Sequence, residues 1–302
     1  GVWLVHALAL PVRAGRDMGT YESYYQNLLL VYPSLPLVQL FRTPVTPVFF
    51  GVLFDTFGYG GVRIALCVSY AVSLCLVFLV GASFRLWLGY LAWALVALDL
   101  NHYEWFNNVG SESPQSILIV LWLAFAFFTF FSTKRRDWML HASLVFLLVM
   151  NRPGNQVAAL ALLVPLLNGT AGWRQRLRLT GLAVATYLVL VGGYCGYNYA
   201  RYGDFTVARL GDAHLPFYRV YVQDRLVRPA NGPASAELGD LYARHLAANP
   251  MLQAYEIDEE AFFASPTPRL FSLIVQTINE VYGWEHRFPL LRRAGIEACR
   301  AH

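Results

Sequence analysis

Apolar residues run in long stretches along this chain, and the short clusters between them carry nearly all of its charge. A helix needs about 20 predominantly apolar residues to cross about 30 Å of hydrocarbon. Four stretches qualify: residues 62–84, 86–103, 116–131 and 179–199. A fifth, 138–167, is apolar but cut by Asn151, Arg152, Pro153 and Gly154 into two halves, each short for a span. Two thin spans or a re-entrant pair would both add an even number of crossings, so the sidedness of the chain beyond residue 167 is the same either way. Residues 1–11 form an apolar stub without the basic region or small-residue cleavage site of a signal peptide, and read as the end of a helix begun upstream. The polar amphipathic stretch 295–302 likewise reads as cut short, so the sequence is expected to be a fragment at both ends.

Orientation can be set from the basic residues, which gather in cytoplasmic loops near helix ends. Lys134, Arg135 and Arg136 form one such loop, and Arg174, Arg176 and Arg178 another. Counting outward from both puts 101–114 outside, 83–85 inside, 12–61 outside and everything after 199 outside, with about seven crossings in all.

The composition agrees with this pattern: 57% of the 302 residues are hydrophobic and 14% charged, with a mean hydropathy of +0.42, whereas soluble domains carry about a quarter charged residues. The net charge of +4 is scattered at the ends of apolar runs, which excludes a nucleic-acid-binding stripe. Lys134 is the one lysine among 23 basic residues, a bias of GC-rich bacterial genomes that says nothing about mechanism. Cys67, Cys75, Cys195 and Cys299 show no metal-ligand spacing and read as small apolar residues.

The external segment 12–61 is long for a plain connection, and long ordered loops are usually functional. Within it, 21–31 reads as a short amphipathic helix and 44–54 as an apolar helix too short to span. Residues 203–302 mix charge, Pro and Gly with amphipathic pieces such as 234–248 and 268–281, and read as a partly helical external segment after a membrane module 1–202.

Ionisable residues at a membrane surface are costly and therefore candidates for chemistry. Three external clusters stand out: Arg13, Arg16, Asp17 and Glu22 with Arg42; His102, Glu104 and Glu112; and Arg152 with Asn198 and Arg201. Acids and arginines gathered at a bilayer suit displacement at a sugar carbon whose leaving group is a lipid phosphate. A carboxylate takes the proton of the attacking hydroxyl, and forked guanidinium groups receive the departing phosphate. Each residue also has a blander reading. Arg13 and Arg16 would snorkel to headgroups, Asp17 would cap a helix, Glu112 would favour the positive end of one, and His102 would be an interfacial polar group. A divalent cation on Asp17, Glu104 or Glu112 lacks any supporting spacing.

The segments Arg16-Asp17-Met18-Gly19-Thr20-Tyr21, Arg42-Thr43-Pro44-Val45-Thr46-Pro47, Ser111-Glu112-Ser113, Asn151-Arg152-Pro153 and 198–203 with Phe205 together resemble the GT-C glycosyltransferases of the protein-mannosyltransferase and aminoarabinose-transferase type. The resemblance spans about residues 1–205 and lies in the order of the motifs across the spans. It implies an all-α, multi-spanning helix bundle with a long first external loop, in a bacterial cytoplasmic (inner) membrane with its active site on the periplasmic face. It also implies a polyprenyl-phosphate-linked sugar as donor, a glycan, lipid or protein as acceptor, and inversion at the anomeric carbon. Carried over by position, Asp17 is the catalytic carboxylate and Glu112 the second-loop acid. Arg42 contacts the donor phosphate, with Arg16, Arg152 and Arg201 as further phosphate-binding candidates; Tyr21, Glu22, His102, Glu104 and Asn198 are substrate-binding candidates. Val45 stands where the family has a second proline, and the second loop has one acid rather than a pair. No resident cofactor is implied with certainty, and a metal requirement is left open.

Two other classes compete. A transporter or lipid flippase would use midplane charges and broken helices in paired repeats, and the break at 151–154 is compatible with that, but no second half repeats the first. A structural membrane subunit would account for the C-terminal segment yet would not need Asp17, Arg42 and Glu112 together.

Overall fold

The computed structural model describes residues 12–15, 17–28 and 40–302; the stub 1–11, Arg16 and residues 29–39 lie outside them. The chain forms two compact units, Gly1–Val207 and Ala208–His302. The first opens with β1 (Arg13–Ala14) and α1 (Met18–Leu28), followed by α2 (Val45–Ala82), α3 (Leu86–Leu98) and α4 (Leu100–Phe106). Then come β2 (Asn108–Val109), α5 (Glu112–Thr129), α6 (Arg135–Asn151), a 3₁₀ segment (Pro153–Leu167) and α7 (Trp173–Tyr202).

Three of these helices, α2, α5 and α7, are long and apolar enough to cross a membrane. The shorter α3 turns Leu86, Trp87, Tyr90, Leu95 and Leu98 outward, each more than half exposed. An apolar face of that extent is not one that a water-soluble monomer presents.

The hydrogen bonds sort the helix ends into two groups. Asn168 Nδ2 donates to Ser132 O (3.0 Å), Thr170 Oγ1 donates to Phe131 O (3.2 Å), and the rings of Phe84 and Phe127 meet at 5.4 Å. At the opposite end Thr46, Ser111 and Asn151 are joined, and Tyr24 of α1 meets Tyr194 of α7, hydroxyl to hydroxyl, at 2.9 Å. The 3₁₀ segment therefore returns antiparallel to α6, so the two arginine-rich stretches lie at the same end, as an even number of passes requires. At about 2.0 Å rise per residue the 3₁₀ segment covers roughly 30 Å, which an α-helix of that length would not.

Several expected boundaries differ. The stretch 86–103 breaks at Asp99, whose Oδ1 accepts from Asn101 N (3.0 Å) and caps α4, so α3 ends short of a full span. The loop expected at 12–61 is also shorter, because the apolar helix at 44–54 and the span at 62–84 are joined in α2. Between them Gly58 sits at φ 63°, ψ −167°, a conformation that only glycine takes without strain, and it kinks the helix. Arg174, Arg176 and Arg178 lie in the first turns of α7 rather than in a loop, and Arg135 and Arg136 begin α6. Against the all-helical expectation, the described residues include a parallel strand pair, β1 with β2.

The second unit has a core of its own, built around Phe217, Tyr221, Leu238, Phe262, Phe263 and Leu290. It includes α8 (Pro233–Leu241), α9 (Pro268–Tyr282) and α10 (Trp284–Ala301), so it is more helical than its Pro and Gly content suggests. In α9, Leu270, Phe271, Ile274, Thr277 and Ile278 fall on one buried face, and Thr267 caps the start by accepting from Leu270 N (3.3 Å). The start of α8 is capped from a distance. Ala234 N and Ser235 N donate to the two carboxylate oxygens of Glu297 (3.0 and 2.8 Å), and Ser235 Oγ adds a third bond. A Cβ on Gly232 would come within 2.5 Å of that carboxylate carbon, so only glycine admits Glu297 here.

Burial pushes the Glu297 carboxyl up, but the bonds from Ala234 and Ser235 and the charge of Arg293 outweigh it and hold it below the usual carboxylate range. A depressed carboxylate adds stability above its unfolded value and loses it as pH falls through the folded one. Glu297→Gln is accordingly expected to cost about 1 kcal/mol near neutral pH and to flatten the acid limb of unfolding, read by amide exchange across 233–241.

Candidate active site

The end of the first unit that carries Thr46 and Asn151 also gathers two acid–arginine pairs. Their scaffold is the strand pair, in which Arg13 N donates to Asn107 O (2.8 Å) and Gly15 N to Val109 O (3.1 Å). A Cβ on Gly15 would lie 2.6 Å from Val109 O, so glycine permits this close approach. The strap ties the segment before α1 to the segment before α5, and so brings Asp17 toward Glu112.

Asp17 offers its backbone carbonyl to Thr20 N and Tyr21 N at the start of α1, while its carboxylate turns to Arg42 Nη2 at 2.9 Å. The carboxylate is therefore not the helix cap of the blander reading. Arg42 packs its guanidinium carbon 5.4 Å from the rings of both Tyr21 and Phe41, a cation–π arrangement. The arginine side chain is 18% exposed and the acid 49%, so the acid is the open member of the pair. Buried Arg42 Nε has no hydrogen-bond acceptor among the described residues.

Glu112 is the first residue of α5, where the helix dipole favours its charge, and it pairs with Arg152 Nη2 at 3.2 Å. Gly110 again supplies the room, since a Cβ there would lie 2.6 Å from Glu112 Oε2. Tyr21 stands between the pairs, its hydroxyl beside the Ser111 side chain and within the fields of Arg42, Asp17 and Glu112. Burial raises its pKa against the opposing pull of Ser111 and Arg42, so Tyr21 stays protonated and serves as a neutral donor.

A buried amide network holds this end together. Thr46 Oγ1 donates to Asn151 Oδ1 (2.7 Å), and Asn151 Nδ2 donates to Ser111 O (3.0 Å) and Gln115 Oε1 (2.9 Å). Asn155 Nδ2 adds bonds to Gln115 Oε1 (2.6 Å) and Leu148 O (2.7 Å). Four elements are thereby fixed where Arg152 leaves α6. Asn151→Ala is expected to leave the buried Thr46 hydroxyl without its acceptor, to remove the bonds to Ser111 O and Gln115 Oε1, and to cost about 2–3 kcal/mol, measured as a lowered melting temperature. Sequence reasoning misses Thr46, Gln115 and Asn155, although hydroxyl and amide side chains inside apolar stretches are the signal that marks them.

Two cavities flank the pairs. One of about 440 Å³ is lined by His102, Trp105, Glu112, Gln115, Ile119 and Arg152, so it joins an ion pair to an apolar wall. The other, about 450 Å³, is lined by Tyr21, Glu22, Tyr25, Phe50, Phe54 and Asp55. Both volumes suit small-molecule binding.

Of the remaining candidates, His102 and Glu22 line these cavities and the other described ones lie outside them. His102 shares a hydrogen bond with Ser73 Oγ (3.3 Å) among the rings of Tyr70, Trp105 and Phe106, and burial lowers its pKa against the charge of Asp99, so it is neutral near pH 7. Glu22 accepts from Gln26 Nε2 (3.2 Å), and Glu104 is exposed on α4, outside both cavities. Asn198 is wholly buried and donates to Thr206 O (2.7 Å), which places it in the packing of α7 rather than on an accessible wall. Arg201 is exposed and donates to Tyr202 Oη (3.1 Å), apart from both acid–arginine pairs. Arg16 lies outside the described residues. Among the described residues no three His, Cys, Asp or Glu side chains gather as a metal ion would require.

Comparison of the chain with protein families, with curated proteins and with solved structures gives no match.

Proposed function

We propose that this chain is an integral membrane glycosyltransferase that moves a sugar from a polyprenyl-phosphate carrier to an acceptor hydroxyl. The reading includes the GT-C-like bundle of about seven crossings, the short α3 and the 3₁₀ segment among them. The observation that carries it is the meeting of Asp17–Arg42 and Glu112–Arg152 around Tyr21 at the helix ends opposite the arginine-rich end. By the positive-inside rule that arginine-rich end is cytoplasmic, which puts the acid pairs on the periplasmic face of a bacterial inner membrane.

In the unliganded protein Arg42 neutralises Asp17. An arriving phosphate competes for the guanidinium and frees the carboxylate to meet the acceptor hydroxyl. Asp17 then takes the acceptor's proton as the hydroxyl oxygen attacks the anomeric carbon. The bond from that carbon to the phosphate oxygen breaks, and the phosphate leaves with its electron pair, stabilised by Arg42 and Arg152. A single displacement inverts the carbon. The cavity beside Trp105 and Ile119 suits the first part of a lipid tail, and the cavity with Tyr21, Glu22 and Tyr25 suits a hydroxyl-rich acceptor. Transport through a broken helix has less support, because the break at Arg152 and Pro153 falls at a helix end and not midway.

The test is incubation of the purified chain in liposomes with radiolabelled polyprenyl-phosphate arabinose, mannose, glucose or galactose and native membranes. Label should move to an acceptor as free polyprenyl phosphate accumulates. Failure with every donor would remove the reading.

A further inference from the structure

At the end of the first unit away from the acid pairs, the turns that start α6 and α7 border an open cavity of about 990 Å³. Arg135, Arg174, Arg178, Trp173 and Thr133 line it, and Leu179 and Leu182 continue its wall along α7. The neighbouring basic groups have partners. Arg176 donates to Ala171 O (2.7 Å) and Leu166 O (3.3 Å), and Arg136 lies 3.8 Å from Asp137. Asp137 is in turn occupied by Ser132 Oγ at 2.6 Å and is largely covered. Arg135, Arg174 and Arg178 make no ion pair or hydrogen bond among the described residues, so three positive charges face one concavity without compensation.

We propose that this cavity binds the phosphate of an anionic membrane lipid, with its acyl chains running along α7 from the partly exposed Leu182. Forked arginine donors match phosphate oxygens, and the first N–H groups of α7 add donors at the same place. Trp173, 62% exposed beside them, is the residue type that sits at headgroup level. The wall runs from guanidinium to leucine along one of the long apolar helices, as a headgroup joined to acyl chains requires and a free phosphate ion does not. Basic pockets between spanning helices are a known mode of headgroup binding. The site stands on different residues from the transfer centre and does not depend on the activity proposed for it.

The test uses the full chain in phosphatidylcholine nanodiscs with and without phosphatidylglycerol, and reads retained lipid by native mass spectrometry. The chain should hold phosphatidylglycerol selectively. R135Q/R174Q/R178Q should weaken that retention on the order of a hundredfold, about fivefold for each arginine removed. R85Q/R136Q, which removes charge at the same end outside the cavity, should keep it within a few-fold of the unmodified chain. R135K/R174K/R178K keeps the charge and should retain part of the binding, which separates a lost site from a misfolded one. Equal retention of phosphatidylcholine and phosphatidylglycerol by the unmodified chain would overturn the proposal whichever variants fold. Equal losses in the two glutamine variants would do so too, by showing diffuse attraction to the surface. Displacement of the lipid by inorganic phosphate, but not by chloride at the same ionic strength, would assign the cavity to a soluble phosphate instead.

Discussion

Asp17→Asn is expected to slow sugar transfer on the order of a thousandfold while the helices remain packed. The amide keeps an oxygen that Arg42 can still reach, so the geometry at 2.9 Å has a near-isosteric substitute, while the negative charge and the capacity to accept a proton are lost. Because Arg42 and Arg152 remain and the carboxylate that competes with the phosphate for Arg42 is gone, the donor should bind at least as tightly and the loss should appear in kcat. Rates with purified polyprenyl-phosphate sugar, beside thermal melting of the same preparation, separate chemistry from folding. Undiminished transfer by this variant would exclude Asp17 as the base.

Arg42→Gln should be nearly as damaging, lowering kcat/KM for the donor by about a hundredfold to a thousandfold. Its guanidinium has three duties at once: it pairs with Asp17, stacks between Tyr21 and Phe41, and keeps one buried N–H without an acceptor among the described residues. Lysine restores the charge but neither the planar stack nor the fork, so Arg42→Lys should recover only part of the loss. Steady-state rates at varied donor concentration decide this, and full recovery with lysine would mean that a point charge suffices and the fork has no role.

Much of this architecture is legible in the pattern of apolar runs, because a span must be long and apolar whatever its neighbours are. What the pattern misses is local. Asp99 breaks 86–103 through one side-chain bond to Asn101, a cap that hydropathy averages away. Gly58 joins two helical stretches that look separate, and its effect lies in a backbone angle rather than in polarity. The strand pair at Arg13–Ala14 and Asn108–Val109 is too short to leave an alternating pattern. At the candidate site, charge in an apolar chain points to Asp17, Arg42, Glu112 and Arg152, since such groups are costly there. The pairing of each acid with its arginine needs the fold. Asn198 and Arg201 draw attention on the same grounds, yet one is enclosed in packing and the other faces outward. Hydrophilicity alone does not say which way a side chain turns.

The 3₁₀ segment has a consequence for how its sequence varies. With three residues per turn, side chains three apart eclipse one another, so its surface is divided into straight columns that do not wind around the axis. Gly154, Val157, Leu160 and Leu163 form the outward column, while Ala159 and Leu162 share an inward one against Ala142, Val145 and Ala183. Bulky apolar replacements scanned through 154–167 should therefore be tolerated with a period of three, measured as the fraction of folded protein, where an α-helix would give a period nearer 3.6. A one-residue deletion in this segment would turn every later residue by about a third of a turn and move a whole column from the outward side into the packed seam.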